Sequence, residues 1–244
     1  MLEGVFDAHV HVIDPRFPLI ENNGYLPPPF TVDDYRARMA GLGVTGGAVV
    51  SGSFQAYDQT YLVDALAQLG PGFVGVANVP SDIGDAEVLA LAEAGVRAFR
   101  VNLFRGGDVA QIALAPRLYA LAGWHLEVYL DARDLPELAP KLAVAPRLVI
   151  DHLGMSQAGL PALLGLVKDG AYVKASGFGR IDHDVPKALR AVNEVNPAAL
   201  MFGSDLPGTR AKRPFERADI ELVREAAGPR ALYDNALALY ASAN

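Results

Sequence analysis

The chain has 244 residues, 51% of them hydrophobic, with a formal net charge of −7 and no cysteine. That composition excludes disulfides, thiolate nucleophiles and cysteine zinc sites, and no basic block offers a surface to nucleic acid or a membrane. The length fits one α/β barrel of ~250 residues, and no apolar run reaches the ~18 residues of a membrane span.

The start, Met1-Leu2-Glu3-Gly4, has no basic leader pattern and runs straight into a strand, so a cytoplasmic location is expected. The first strand reads Val5–Val12. Within it Asp7, His9 and His11 alternate, and strand geometry is expected to put them on one face. Two imidazoles at a strand end can bind a metal or polarise a carbonyl. The irregular stretch 14–29, rich in proline, follows and is expected to lie over the mouth.

Further strands are expected at Gly47–Ser53, Phe73–Val79, Val96–Leu103, His125–Asp131, Leu148–His152, Tyr172–Ser176 and Leu200–Ser204. Helical patterns separate them: Asp33–Leu42 behind a Thr31 cap, Tyr57–Leu69, Asp85–Ala94, Pro116–Ala122, Pro136–Ala143, Leu160–Val167, Val185–Glu194 and Pro214–Ala227. A terminal helix over Pro229–Ala241 is expected to close the outer layer. Strand and helix alternating eight times predict a parallel sheet closed as a single (β/α)8 TIM-type barrel, one domain over residues 1–244. An open doubly wound sheet is the alternative, but no Gly-x-Gly-x-x-Gly turn follows the first strand.

Active sites of such barrels lie at the C-terminal strand ends. There the sequence places His9, His11, Ser53, Arg100, Tyr129, His152, Ser176 and Asp205. Residue parity puts His152 on the inner face with Leu148 and Ile150. His9, His11, His152 and Asp205 form a set that can ligate one divalent ion, zinc or manganese. The same set can act without metal, with the carboxylate activating water and the imidazoles polarising a carbonyl. Glu127, on the parity of Tyr129 but deeper, is expected to pair internally with Lys174.

Six segments together resemble the amidohydrolase superfamily, in its amidohydrolase-related branch. They are Phe6–His11, Arg100–Asn102, Asp151–Gly154, Lys174–Gly177, Gly203–Pro207 and Asn235–Tyr240. Within the branch the chain is similar to the 2-pyrone-4,6-dicarboxylate lactonase and sugar-lactone hydrolase group. The resemblance implies a lactone hydrolase with Asp205 activating water, and His9, His11 and His152 around the reacting carbonyl. It implies a small acidic substrate held by Arg100, Arg180 and Arg105, with Tyr129 and Ser53 as hydroxyl donors and Tyr25 on a lid. No cofactor, or one zinc or manganese ion, is implied. Met155 departs from the group, which carries an arginine there, and Pro207–Arg210 also differs. A zinc-dependent decarboxylase of the same superfamily is the second reading. A non-catalytic metabolite-binding barrel is the third, and it would not be expected to keep all three histidines and the aspartate.

Overall fold

The computed structural model describes residues 4–241; residues 1–3, on which part of the expectation about the start falls, and residues 242–244 lie outside them. Eight parallel strands form one sheet in sequence order: β1 (Val5–Val10), β2 (Val44–Val50), β3 (Phe73–Ala77), β4 (Val96–Asn102), β5 (His125–Tyr129), β6 (Leu148–Ile150), β7 (Tyr172–Ala175) and β8 (Leu200–Phe202). Between them run α1 (Val32–Met39), α2 (Thr60–Leu69), α3 (Asp85–Glu93), α4 (Ala115–Ala122), α5 (Leu135–Leu142), α6 (Leu160–Lys168) and α7 (Val185–Val195). The chain ends in α8 (Arg217–Ala227) and α9 (Asp234–Tyr240). This is the predicted (β/α)8 barrel. No helix among the described residues is long and apolar enough to cross a membrane.

Local chemistry sets the element ends. Thr31 caps α1 through a capping box: its hydroxyl accepts from Asp34 N, and the Asp34 carboxylate accepts from Thr31 N at 2.8 Å. The strand side chains divide into two sets. Val49, Phe99, Val128, Ile150 and Phe202 join the apolar layer beneath the helices. Phe6, Ala8, Ala48, Val50, Val76, Ala98, Val149 and Met201 fill the barrel interior.

The barrel closes between β1 and β8 without a regular ladder. Asp205 N donates to His9 O at 2.7 Å, and His11 N to Leu206 O at 2.8 Å. The buried Asp7 carboxylate accepts from Ser204 N at 2.7 Å, Ser204 Oγ at 2.6 Å and the Tyr35 hydroxyl at 3.1 Å.

Three expectations are corrected here. The β1–β2 register shifts between Asp7 and Val10, so one extra residue breaks the alternation. Asp7 therefore turns toward Tyr35 on α1, while His9 meets Lys174 inside the barrel. In β6, Val149 belongs to the interior, and Leu148 and Ile150 pack under the helices. His152 reaches the mouth through a turn beyond the strand rather than by strand parity. Finally, the terminal segment divides into a 3-10 turn over Pro229–Leu232 and then α9. Ala236, Leu239 and Tyr240 of α9 pack against the interior set, where the Tyr240 ring stacks on Phe6 at 5.4 Å. The last helix thus plugs the barrel beneath the site instead of closing the outer layer.

Asp7→Ala would strand the buried Ser204 N–H and remove the side-chain contacts across the seam. Each unsatisfied buried group costs ~1–3 kcal/mol. The expected loss is about 3 kcal/mol in urea denaturation, with Asp7→Asn losing less. An Asp7→Ala protein within 0.5 kcal/mol of wild type (about the spread of surface substitutions) would mean that the seam closes without this carboxylate.

Candidate active site

His9, His11, His152 and Asp205 converge at the C-terminal mouth. The Nε2 atoms of the three imidazoles lie 3.8, 3.7 and 3.9 Å from one atom, Asp205 Oδ1. His152 and Asp205 both adopt left-handed backbone, φ 51° and 56°. Such angles are uncommon for non-glycine residues and gather at functional sites. Gly203 is required beside them, because a Cβ there would lie 2.7 Å from His9 Cβ and 2.9 Å from His9 N.

Each group is oriented by a named partner. His11 Nδ1 is 2.7 Å from Val50 O, which can only accept, so Nδ1 carries a proton and Nε2 points into the site. His152 Nδ1 is bonded to Ser176 Oγ at 2.8 Å. Burial pushes the His152 pKa down to about 3, against the attraction of Asp205 and Asp151, so the ring is neutral near pH 7. His9 is also held well below the ordinary histidine range by burial. Its Nδ1 stands 3.3 Å from Lys174 Nζ and 3.4 Å from Asp151 Oδ1.

Arg180 grips Asp205 Oδ2 with Nε at 2.7 Å and NH2 at 2.6 Å. Burial raises the pKa of Asp205, but the Arg180 guanidinium and the imidazoles outweigh it and hold the carboxyl well below the usual range. Oδ1 is left buried with no hydrogen-bond partner, as is His9 Nε2. Asp205 Oδ1 and His11 Nε2 thus face each other at 3.7 Å. A water or a cation between them would satisfy the unpartnered carboxylate oxygen.

The donor set of His9, His152 and Asp205, whose ligating atoms lie within 4.8 Å of one another, fits one divalent ion, with His11 adjacent. A second ion does not fit the deeper group of His9, Glu127 and Asp151. Lys174 Nζ already occupies it, paired with Glu127 as expected from the sequence and 3.7 Å from Asp151. Glu127 is further tied to His125 Nε2 at 3.2 Å and to the Tyr240 hydroxyl at 2.6 Å.

Above these groups is an open pocket of about 360 Å³ of empty space, part of it continuous with solvent. Tyr25, Ser53, Arg100, Arg105, Tyr129 and Arg180 line it, along with His11 and His152. Arg100 is buried and commits Nε and NH2 to Asp151 Oδ2, both at 2.8 Å, with NH1 3.2 Å from Ser51 O. The Tyr129 ring lies between Arg100, 5.1 Å from its centroid, and Phe104, stacked at 4.9 Å. Neither Asp151 nor Arg210 is among the site residues expected from the sequence. Asp151 falls within the Asp151–Gly154 motif, and the parity expected for β6 turns it outward. Arg210 sits in a loop with no periodicity to place it.

A closed (β/α)8 barrel with three histidines and an aspartate at its mouth defines a hydrolase-type barrel site. The chain belongs to the amidohydrolase family, whose model matches residues 6–241, and it is an enzyme of the hydrolase class. It is 30% identical over 241 residues to a 2-pyrone-4,6-dicarboxylate hydrolase of Comamonas testosteroni, covering 86% of this chain and 78% of that one. It is 27% identical to a 4-sulfomuconolactone hydrolase of Rhizobium radiobacter, over 84% and 76% of the two chains. A solved structure of a putative 2-pyrone-4,6-dicarboxylic acid hydrolase from Pseudomonas putida matches with a TM-score of 0.79 at 26% identity. That match covers 99% of this chain and 98% of the other.

The arginines should separate by stability. Arg100→Met leaves Asp151 buried beside an unfilled partner, and breaking a buried pair typically costs ~3–5 kcal/mol. Arg105→Met, whose guanidinium lies over the Phe104 ring, should stay within about 0.5 kcal/mol. Equal urea midpoints for the two variants would show that Asp151 does not need Arg100.

Proposed function

We propose that the protein hydrolyses a small lactone bearing a carboxylate. The observation that carries this reading is the placement of Asp205 Oδ1 opposite three imidazole Nε2 atoms, under a cavity ringed by arginines. The named activities of the two curated relatives, both hydrolases of small acidic compounds, support it.

In this reading the lactone carbonyl lies against the imidazoles, and a water sits between Asp205 Oδ1 and His11 Nε2. Asp205 accepts one proton as the water oxygen bonds to the carbonyl carbon. The carbonyl π-electrons move to its oxygen, which a donor N–H stabilises. His9 supplies that donor when Lys174 donates a hydrogen bond to Nδ1, because the ring proton then resides on Nε2. Collapse of the tetrahedral species breaks the ring C–O bond. The departing oxygen takes the proton back from Asp205, leaving a hydroxy acid. Arg180 aims Oδ1 by holding Oδ2, at the cost of some basicity. Substrate-facing guanidinium and hydroxyl groups at Arg105, Ser53 and Tyr25 would position the ring.

A divalent ion bound by His9, His152 and Asp205 would supply Lewis-acid polarisation of the carbonyl. In that arrangement His9 Nδ1–H faces Asp151, 3.4 Å away, and Nε2 is free to ligate.

The test is a panel of small lactones with and without carboxylates, assayed with metal-free protein and with added Zn²⁺ or Mn²⁺. Ring opening of a carboxylate-bearing lactone is expected. Release of CO₂ instead would favour the decarboxylase reading, and no turnover on any lactone would count against hydrolysis. Asp205→Asn should lower kcat at least ~10²-fold on the active lactone, the low end for general-base catalysis, with an unchanged circular-dichroism spectrum, although the melting temperature falls because the buried Arg180 loses its counter-charge. A variant keeping a tenth of the wild-type kcat would remove Asp205 as the base.

A further inference from the structure

Beside the catalytic pocket lies a second, larger chamber, with about 690 Å³ of empty space that also opens to solvent. The two share Ser53, Arg100, Asn102 and Arg105, so a molecule seated in one can extend into the other. The segments that follow β1 to β4 build the chamber. Ile20 comes from the loop after β1, Ala56 and Tyr57 from the turn after β2, Asn78 from the end of β3, and Gly107 and Gln111 from the loop after β4. All six are uncharged. The charged lining groups, Arg100 and Arg105, both stand at the junction, and Arg100 is neutralised by Asp151.

The walls are fixed by specific bonds. Ile20 N donates to Phe54 O at 2.8 Å, which ties the loop after β1 to the turn after β2. Gln111 Nε2 donates to Val79 O at 2.6 Å, and Asn78 Nδ2 to Gly52 O at 2.9 Å. Each carboxamide thus spends N–H on backbone and keeps its oxygen as an acceptor. Gly107 N donates to Asn102 O at 2.8 Å, and a Cβ on Gly107 would stand 2.7 Å from that oxygen, so the loop after β4 presents bare peptide. Ala56 has φ 46° and ψ −122°, a backbone conformation that disfavours any residue but glycine. Such strain persists only where the surroundings enforce it, and it gathers at ligand sites. Against this frame Ile20 and Tyr57 remain 49% and 52% exposed, two apolar surfaces that gain by leaving water.

We propose that this chamber is a substrate subsite that takes an uncharged, mainly apolar substituent of the lactone, selected by Ile20 and Tyr57. The inference rests on the carboxylate-bearing lactone reading and adds a second end to the substrate. The charged end stays in the catalytic pocket, and the apolar end lies between Ile20 and Tyr57. Past the junction the lining offers an anion no cation and a cation no carboxylate, which is why the occupant is uncharged. Ile20 and Tyr57 select the substrate and take no part in bond breaking.

The test uses two flat, unreactive probes, furan-2-carboxylate and 5-phenylfuran-2-carboxylate, titrated calorimetrically into the folded protein. Wild type should bind the phenyl probe at least about tenfold more tightly, the gain expected of an apolar ring leaving water. The Ile20→Ala/Tyr57→Ala double variant should lose most of that advantage, with furan-2-carboxylate affinity within about twofold of wild type. Leu26→Ala, which removes a similarly exposed apolar side chain outside the chamber, should change neither affinity. The chain has no cysteine, so Ile20→Cys places a single thiol on the chamber wall. The phenyl probe should slow alkylation of that thiol by iodoacetamide, and furan-2-carboxylate should not. Equal binding of both probes by wild type, an advantage that survives the double variant, or alkylation that the phenyl probe does not selectively slow overturns the inference alone. Failure of wild type to bind either probe overturns the carboxylate-bearing reading and this inference with it.

Discussion

The seam between β1 and β8 is the constraint on which the site depends. A parallel barrel closes only if its first and last strands meet, and here they meet through the chemistry-bearing residues. Asp205 N bonds to His9 O, and His11 N bonds to Leu206 O. The segment that carries the aspartate is thus registered directly on the one that carries two histidines. Asp7 locks this register from the helix side by accepting both polar groups of Ser204. A seam of this kind tolerates little slip, because the same few hydrogen bonds set both closure and the 3.7–3.9 Å spacing around Asp205 Oδ1.

Below the seam, a run of buried charges fills the barrel axis where apolar side chains are the usual filling. Tyr240 bonds to Glu127, Glu127 pairs with Lys174, Lys174 touches His9 and Asp151, and Asp151 pairs with Arg100. Two carboxylates and two cations balance. Burying such ions costs several kcal/mol each, and their attraction returns much of that only when geometry and hydrogen bonds are complete. The network therefore adds little net stability. What it supplies is a fixed setting for His9, whose Nδ1 has a donor on one side and an acceptor on the other. The α9 plug belongs to the same assembly, since Tyr240 both seals the interior against Phe6 and completes the coordination of Glu127.

The architecture was legible in the sequence because alternation of strand and helix patterns, with glycines at helix ends, is a repeated signal that small local errors do not erase. The four central residues were legible because each sits just at or past a strand end, and the barrel gathers those ends. Side-chain direction was less accessible. The extra residue in β1 costs nothing in hydrophobic pattern, so nothing in Val5–Val12 announces that Asp7 and His9 face different ways. β6 spans only three residues, all buried, and a buried run of that length has no alternation to read. Its misassigned parity hid Asp151. The plug role of α9 was invisible for a related reason: an apolar helix face fits an outer layer or a barrel end equally well. Arg210 is defined by contacts with Asn22 and Tyr25, nearly the whole chain length away, which no local pattern encodes.

Where the strands are shortest, the chain departs most from ordinary backbone, and the two facts are connected. β6 and β8 each end after three residues, and His152 and Asp205 follow them in left-handed conformations. A longer strand would carry both side chains up the barrel wall, alternating between interior and helix layer. Ending the strand and reversing φ instead folds each side chain back over the barrel axis, toward the imidazoles of β1. Non-glycine residues in this region cost of order 1–3 kcal/mol each. The cost is met by bonds formed on either side: Asp205 N to His9 O, Met155 N to His152 O, and Gly208 N to Asp205 O. Those bonds belong to the backbone, so they hold the turns whatever the protonation or partner of the side chains. The site is rigid in its frame and adjustable in its protons, and a hydrolytic centre that must take up and return a proton within one turnover needs both.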